Sequence, residues 1–105
     1  MGSDVVEEVL IKYRTIAVVG LSGEPEKASY RVAAYMKVHG YRIVPVNPFV
    51  DEVLDETSYK SLLEMPAQVQ GEIDVVDIFR RAEDVPPIVE QAVKLRKHFG
   101  KPFVV

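Results

Sequence analysis

The sequence predicts an α/β fold built on a doubly wound parallel sheet in three layers, because short apolar runs alternate with helical patterns along the chain. Ile16-Ala17-Val18-Val19, Ile43-Val44-Pro45-Val46 and the apolar positions between Ile73 and Phe79 show little polar alternation. That is the character of parallel strands covered by helices on both faces. The first run passes directly into Gly20-Leu21-Ser22-Gly23 and then a helix, the strand, loop and helix order that opens a βαβ unit.

Taken in order, residues 4–13 read as an amphipathic helix, with Val5, Val6, Val9 and Leu10 on one stripe and Asp4 as an N-cap three residues before Glu7. It is expected to cover an edge of the sheet. The first strand follows, then a helix from Ser29 to His39 that offers Val32, Ala33, Tyr35 and Met36 for packing and ends at Gly40. Arg42 to Val46 is the second strand. Residues 47–72 carry turn and short-helix signals, among them Asn47-Pro48, Ser61-Leu62-Leu63 and Pro66, so this crossover is expected to be irregular. Ile73 to Phe79 is the third strand. Asp84 then caps a helix with Pro86 and Pro87 in its first turn, Ile88, Val89, Ala92, Val93 and Leu95 toward the sheet, and Gly100 as terminator. Phe103-Val104-Val105 starts a fourth strand.

At 105 residues the chain is expected to form one domain, 1–105, too small for separate cofactor and substrate domains. With 48% hydrophobic and 28% charged residues it has the composition of a soluble globular protein. A net charge of −3 argues against nucleic acid as a partner, since duplex binding needs a basic surface. The absence of cysteine excludes disulfides, thiolate nucleophiles and cysteine metal sites. No apolar run is long enough for a membrane span, and no signal peptide is indicated, which makes the cytoplasm the expected compartment.

The chemistry suggested by the first loop is anion binding. A helix begins with N–H groups that lack intrahelical partners and with the positive end of its dipole, and both favour a phosphate. The loop departs from the dinucleotide fingerprint G-x-G-x-x-G, because Ser22 and Pro25 stand at the later glycine positions. The second strand ends in Asn47-Pro48 where an NAD site usually places an acid on the ribose hydroxyls, and no G-x-x-x-x-G-K-[ST] occurs. In a parallel sheet the ligand lies at the carboxyl ends of the strands where strand order reverses. The segments Gly20 to Arg31, Val46 to Pro48 and Phe79-Arg80-Arg81 should therefore converge.

Taken together, VVGLS, the K-x-S-x-R-V segment (Lys27, Ser29, Arg31, Val32), HGY-x-I-x-PVNP (39–48), YKSL (59–62) and DVVDIFRR (74–81) resemble the small coenzyme A-binding protein family. The domain is similar to the CoA-binding domain of succinyl-CoA synthetase alpha chains. The resemblance implies a Rossmann-type domain, and the reading drawn from it together with the missing catalytic set is noncovalent binding of coenzyme A or an acyl-CoA without chemistry of its own. Its Gly/Ser loop would hold the phosphates, and the ends of the second and third strands would flank the adenosine and pantetheine portions. Carried over by position, Gly20, Leu21 and Ser22 match the phosphate loop, Asn47 and Pro48 the second-strand motif, and Phe79, Arg80 and Arg81 the third. Members usually continue with another helix and strand, so the resemblance implies a fold shortened at the C-terminus, or an element supplied by a partner. An open sheet edge favours a homodimer. Two rival readings are a CoA-binding subunit of an acyl-CoA ligase-type enzyme and an NAD- or nucleotide-binding regulator.

Each site residue also has a structural role open to it. Gly20 either approaches a phosphate or serves a turn at positive φ. Lys27 either meets a phosphate or is a solvated charge beside Glu24 and Glu26, and Arg31, one helical turn on, could share the same anion. Ser29 reads as a helix cap. Asn47 either bonds the ligand or forms an Asx turn. One of Arg80 and Arg81 is expected to face the ligand, the other to pair with Glu83 or Asp84. Asp74 and Asp77 lie within a buried-type strand, and Asp77 reads as a structural brace rather than a general base. His39 and His98 stand close before helix-ending glycines, where an imidazolium favours the dipole, and suggest neither catalysis nor metal binding. No Ser–His–acid set or metal cluster is evident.

Overall fold

The computed structural model describes residues 14–101 and 103–104. The helix expected over residues 4–13 and the end of the last strand at Val105 lie outside them. The described elements are β1 (Thr15–Val19), α1 (Ala28–Val38), β2 (Arg42–Val46), β3 (Glu52–Val53), β4 (Glu56–Thr57), α2 (Ala67–Glu72), β5 (Val75–Ile78), α3 (Val85–Phe99) and β6 (Phe103–Val104).

The main sheet has the order β2-β1-β5-β6, and all its pairings are parallel. β1 sits at the centre with every residue buried, paired from Thr15↔Arg42 to Val19↔Val46 on one side and from Ile16↔Val75 to Val19↔Ile78 on the other. The chain moves from β1 outward to β2 and then returns past β1 to β5, so strand order reverses between β1 and β5.

Because successive side chains of a strand point to opposite faces, β1 feeds two separate cores. Ala17 and Val19 join Val44, Val46, Leu62, Met65, Ile73, Val76, Ala92 and Leu95 beneath α3. Ile16 and Val18 join Leu21, Ala33, Ile43 and Val53 on the α1 side. Burial on both faces is the reason the strand reads as an uninterrupted apolar run.

β5 is shorter than the span Ile73 to Phe79. Asp74 and Phe79 donate backbone bonds to Thr15 O and Val19 O, each 2.8 Å, so the ladder to β1 closes at both ends there and the chain turns away. The irregular crossover contains a small β3–β4 hairpin whose central residues, Leu54 and Asp55, both take positive φ (54° and 63°). Lys37 of α1 steadies this hairpin by donating to Leu54 O and pairing with Glu56 at 3.0 Å. The chain then runs back along β2, where Tyr59 bridges to Val46 and covers part of that edge. Among the described residues no helix is long and apolar enough to cross a membrane.

Candidate functional site

At the end of β1 the backbone of the neighbouring strand end approaches closely. Gly20 donates its N–H to Val46 O at 2.8 Å and takes φ +85°. A Cβ on it would lie 2.4 Å from Phe79 O and 2.8 Å from Arg80 Cδ. Glycine is therefore required by the approach of β5's end to β1 as well as by the turn. Gly23 is less constrained, since a Cβ there would meet only Val50 at 3.8 Å.

The rest of the loop is tied internally. The Leu21 side chain is fully buried in the α1-side core, and its carbonyl accepts from Asn47 Nδ2 at 3.0 Å. Ser22 donates its N–H to Ser29 Oγ at 3.0 Å, and Ser22 Oγ accepts from Glu24 N–H at 3.0 Å. Ser29 is not the helix cap. Lys27 holds that position without a side-chain cap bond, and Ser29, one residue inside α1 and 6% exposed, braces the loop instead. Asn47 forms the Asx turn, accepting from Phe49 N–H at 2.9 Å through Oδ1, while its amide ties the second-strand end to the loop.

A cleft of about 300 Å³ opens at the strand-order reversal. Its floor is Val19, Gly20 and Leu62; Val46, Pro48, Lys60 and Ser61 form the β2-side wall; Arg80, Glu83, Asp84, Pro87, Ile88 and Gln91 form the α3-side wall. An open depression beside it is lined by Ile78, Phe79, Arg80, Arg81 and Asp84. Arg80 belongs to both hollows.

The two arginines differ in placement. Arg80 keeps 32% of its side chain exposed and pairs with Asp84 at 3.4 Å, whereas Arg81 is 78% exposed and reaches Glu83 at 3.4 Å and Asp84 at 3.5 Å. Arg80 is the one directed to the cleft, yet both have acidic partners. Asp84 occupies the N-cap position of α3 but makes no side-chain cap bond there; its carboxylate goes to the arginines.

The structure thus gathers Gly20, Pro48 and Arg80 around one cleft, with Phe79 and Arg81 on the adjoining depression. Lys27 and Arg31 are not among the lining residues; Lys27 lies 4.0 Å from Glu24, with both side chains well exposed, and Arg31 is on the exposed face of α1.

The brace expected at Asp77 is provided by Asp74. Its carboxylate accepts from Arg14 N–H at 3.0 Å, Thr15 N–H at 2.9 Å and Lys101 Nζ at 2.9 Å, joining β1 to the chain ahead of β6. Asp77 is half-buried on β5, where burial pushes its carboxyl above the ordinary value, partly offset by a bond from the Ile78 backbone. Neither histidine lines the cleft: the His39 ring centroid lies 4.2 Å from Tyr35, and His98 meets Phe99 edge-on at 4.5 Å.

Sequence reasoning left out Lys60, Ser61, Glu83 and Gln91 as lining residues. Lys60 and Ser61 stand inside YKSL, but only the pairing of Tyr59 with β2 turns that segment toward the cleft. Gln91 had a weaker signal, since it lies one helical turn beyond Pro87 and Ile88 on α3.

Known proteins share this sequence pattern and this fold. Uncharacterized protein YneT of Bacillus subtilis is 42% identical over 86 residues, which is 82% of this chain and 61% of that protein. The chain therefore spans about three fifths of that relative's length. The alpha subunit of ADP-forming acetate–CoA ligase II from Pyrococcus furiosus is 41% identical over 64 residues, 60% of this chain and 14% of that subunit. Among solved structures, a hypothetical protein from Pyrococcus horikoshii OT3 superimposes with a TM-score of 0.76 at 31% identity, covering 100% of this chain and 84% of that one. The cell-free ID.343 protein from Thermus thermophilus gives 0.76 at 26% identity, over 99% and 90%. Residues 14–103 match the family described as the CoA binding domain, and the chain belongs to that family.

Proposed function

We propose that the cleft binds coenzyme A or an acyl-CoA noncovalently, with the ligand's phosphates lying against the backbone at Gly20, where no side chain intervenes, and at Arg80. The observation that carries this reading is the position of the cleft: it lies where strand order reverses, against the carboxyl end of β1, with an arginine on its wall whose side chain is 32% exposed. Ligands of open parallel sheets bind at such a point, and a guanidinium there suits phosphate oxygens. The apolar lining from Val19, Val46, Leu62, Pro87 and Ile88 fits a pantetheine arm, and Gln91 and Ser61 offer partners for its amides. At about 300 Å³ the cleft is at the small end of ligand sites, so a molecule as long as CoA runs on across the open depression at Arg80 and Arg81.

The likeness to ADP-forming acetate–CoA ligases supports a narrower form of the same reading, in which the domain presents CoA to a separate catalytic chain. An NAD reading is disfavoured by Asn47, which stands where the ribose acid would be and has both ends of its amide engaged. Isothermal titration with CoA, then NAD and ATP in the same buffer, tests the proposal. Saturable heat with CoA and weak responses to the others is expected; silence at millimolar CoA would remove it.

A further inference from the structure

We infer that Lys60 is the specificity residue of the cleft, reading a monophosphate carried on the ribose of the ligand and so distinguishing CoA from its dephospho form. The inference rests on the coenzyme A reading and adds to it a residue and a selectivity.

The argument begins at the end of β2. In nucleotide-binding sheets of this topology, the group beside that strand end decides what the ribose carries: an acid bonds the free hydroxyls, whereas a cation accommodates a ribose phosphate. Here the residue at the strand end is Asn47, and its side chain is committed to Leu21 O and to the Phe49 N–H. It is not available for ribose hydroxyls. The charged group that the fold brings to this wall of the cleft comes from elsewhere in the chain, and it is Lys60.

Its placement is secured by the backbone before it. Tyr59 donates to Pro45 O at 3.0 Å and accepts from Asn47 N–H at 2.8 Å, straddling Val46, while Ser58 Oγ donates to Asn47 O at 3.2 Å. The segment is thereby locked to the outer side of β2, and the next residue is delivered to the cleft wall.

Its charge is also available. Arg80 and Arg81 are engaged by Glu83 and Asp84, whereas Lys60 has no ion-pair partner among the described residues. A compact ammonium that is not already neutralised suits the dianionic oxygens of a phosphate monoester. The cleft is then divided electrostatically. Its acids, Glu83 and Asp84, stand beside Arg80 on the α3-side wall, whereas the β2-side wall carries the charge of Lys60 alone, which draws the ribose phosphate toward β2 while Arg80 meets the remaining phosphates.

Titration calorimetry with CoA and with dephospho-CoA, on the parent, Lys60→Gln and Lys60→Arg, tests this. The parent is expected to bind CoA about tenfold tighter than dephospho-CoA, a size typical of one charge-assisted contact. Lys60→Gln should bring CoA down to the dephospho-CoA level while leaving dephospho-CoA unchanged, and Lys60→Arg should keep most of the preference. Equal binding of the two ligands by the parent, or an equal loss of both in Lys60→Gln, overturns the inference while leaving CoA binding intact. Silence of the parent toward both overturns the binding reading itself. Matching melting temperatures of the variants and the parent show that the fold is unaffected.

Discussion

The loop after β1 and the segment after β5 meet at the same cleft but are held by different forces. Residues 20–24 are fixed by neutral hydrogen bonds of about 3 Å to Val46, Asn47 and Ser29, and Leu21 is anchored in the core. Residues 80–84 are held by ion pairs of 3.4–3.5 Å between half-buried or exposed side chains. Neutral bonds around the buried Leu21 and in the part-buried loop set shape and are costly to lose where water cannot replace them. Exposed ion pairs contribute little stability and are screened by salt, so they exchange readily for a charged ligand. The contrast divides the site into a rigid rim and a responsive one.

The most disruptive way to test that division is Gly20→Ala. The added Cβ meets the Phe79 carbonyl at 2.4 Å in a left-handed conformation. A loss of roughly 3 kcal/mol or more is expected from strain and overpacking together, read from chemical denaturation. A stable variant would show that β5 can move away from β1 at little cost. Ser29→Ala is next. It leaves the Ser22 N–H without its acceptor and should cost about 1–2 kcal/mol; a change within error would mean that water replaces the hydroxyl.

On the responsive rim, Asp84→Asn keeps a residue suited to the N-cap while freeing Arg80 and Arg81 of a shared carboxylate. Stability should stay within about 0.5 kcal/mol, while affinity for CoA rises several-fold, most clearly at low salt. Unchanged affinity would show that the arginines do not meet the ligand.

The smallest effect is expected at Asp77, which belongs to neither rim. Burial raises its carboxyl pKa in the folded state. The folded protein therefore binds more protons than the unfolded chain between the ordinary carboxylate value and the raised one, and stability falls as pH rises through that window. Asp77→Asn should melt slightly higher than the parent at pH 7 and lose the advantage below the ordinary carboxylate value. An identical difference at both pH values would assign the effect to packing rather than charge.

Much of the architecture was legible in the residues. The buried strands announced themselves as apolar runs because both faces of a parallel sheet are covered, and β2 was expected over its observed span, Arg42–Val46. Helix ends at Gly40 and Gly100 were legible because a positive φ favours glycine. The β3–β4 hairpin was not, since Leu54 and Asp55 sit at positive φ without the glycine that usually marks such a turn.

At the site, the sequence by itself determined the family motifs and the approximate convergence of the three strand ends, because strand order and crossover hand leave little choice of where those ends lie. Tertiary structure decided the duties of individual side chains. Ser29 became a loop brace, Asn47 a tie to Leu21, Asp74 the clamp beneath β1, and Lys60 a wall of the cleft. Each of these depends on a partner 7 or more residues away or on a backbone pairing, such as Tyr59 with Val46, that leaves no periodicity in the chain. Local pattern reports which face of an element is apolar. Which polar group meets which is settled only when the elements pack and each buried donor must find an acceptor.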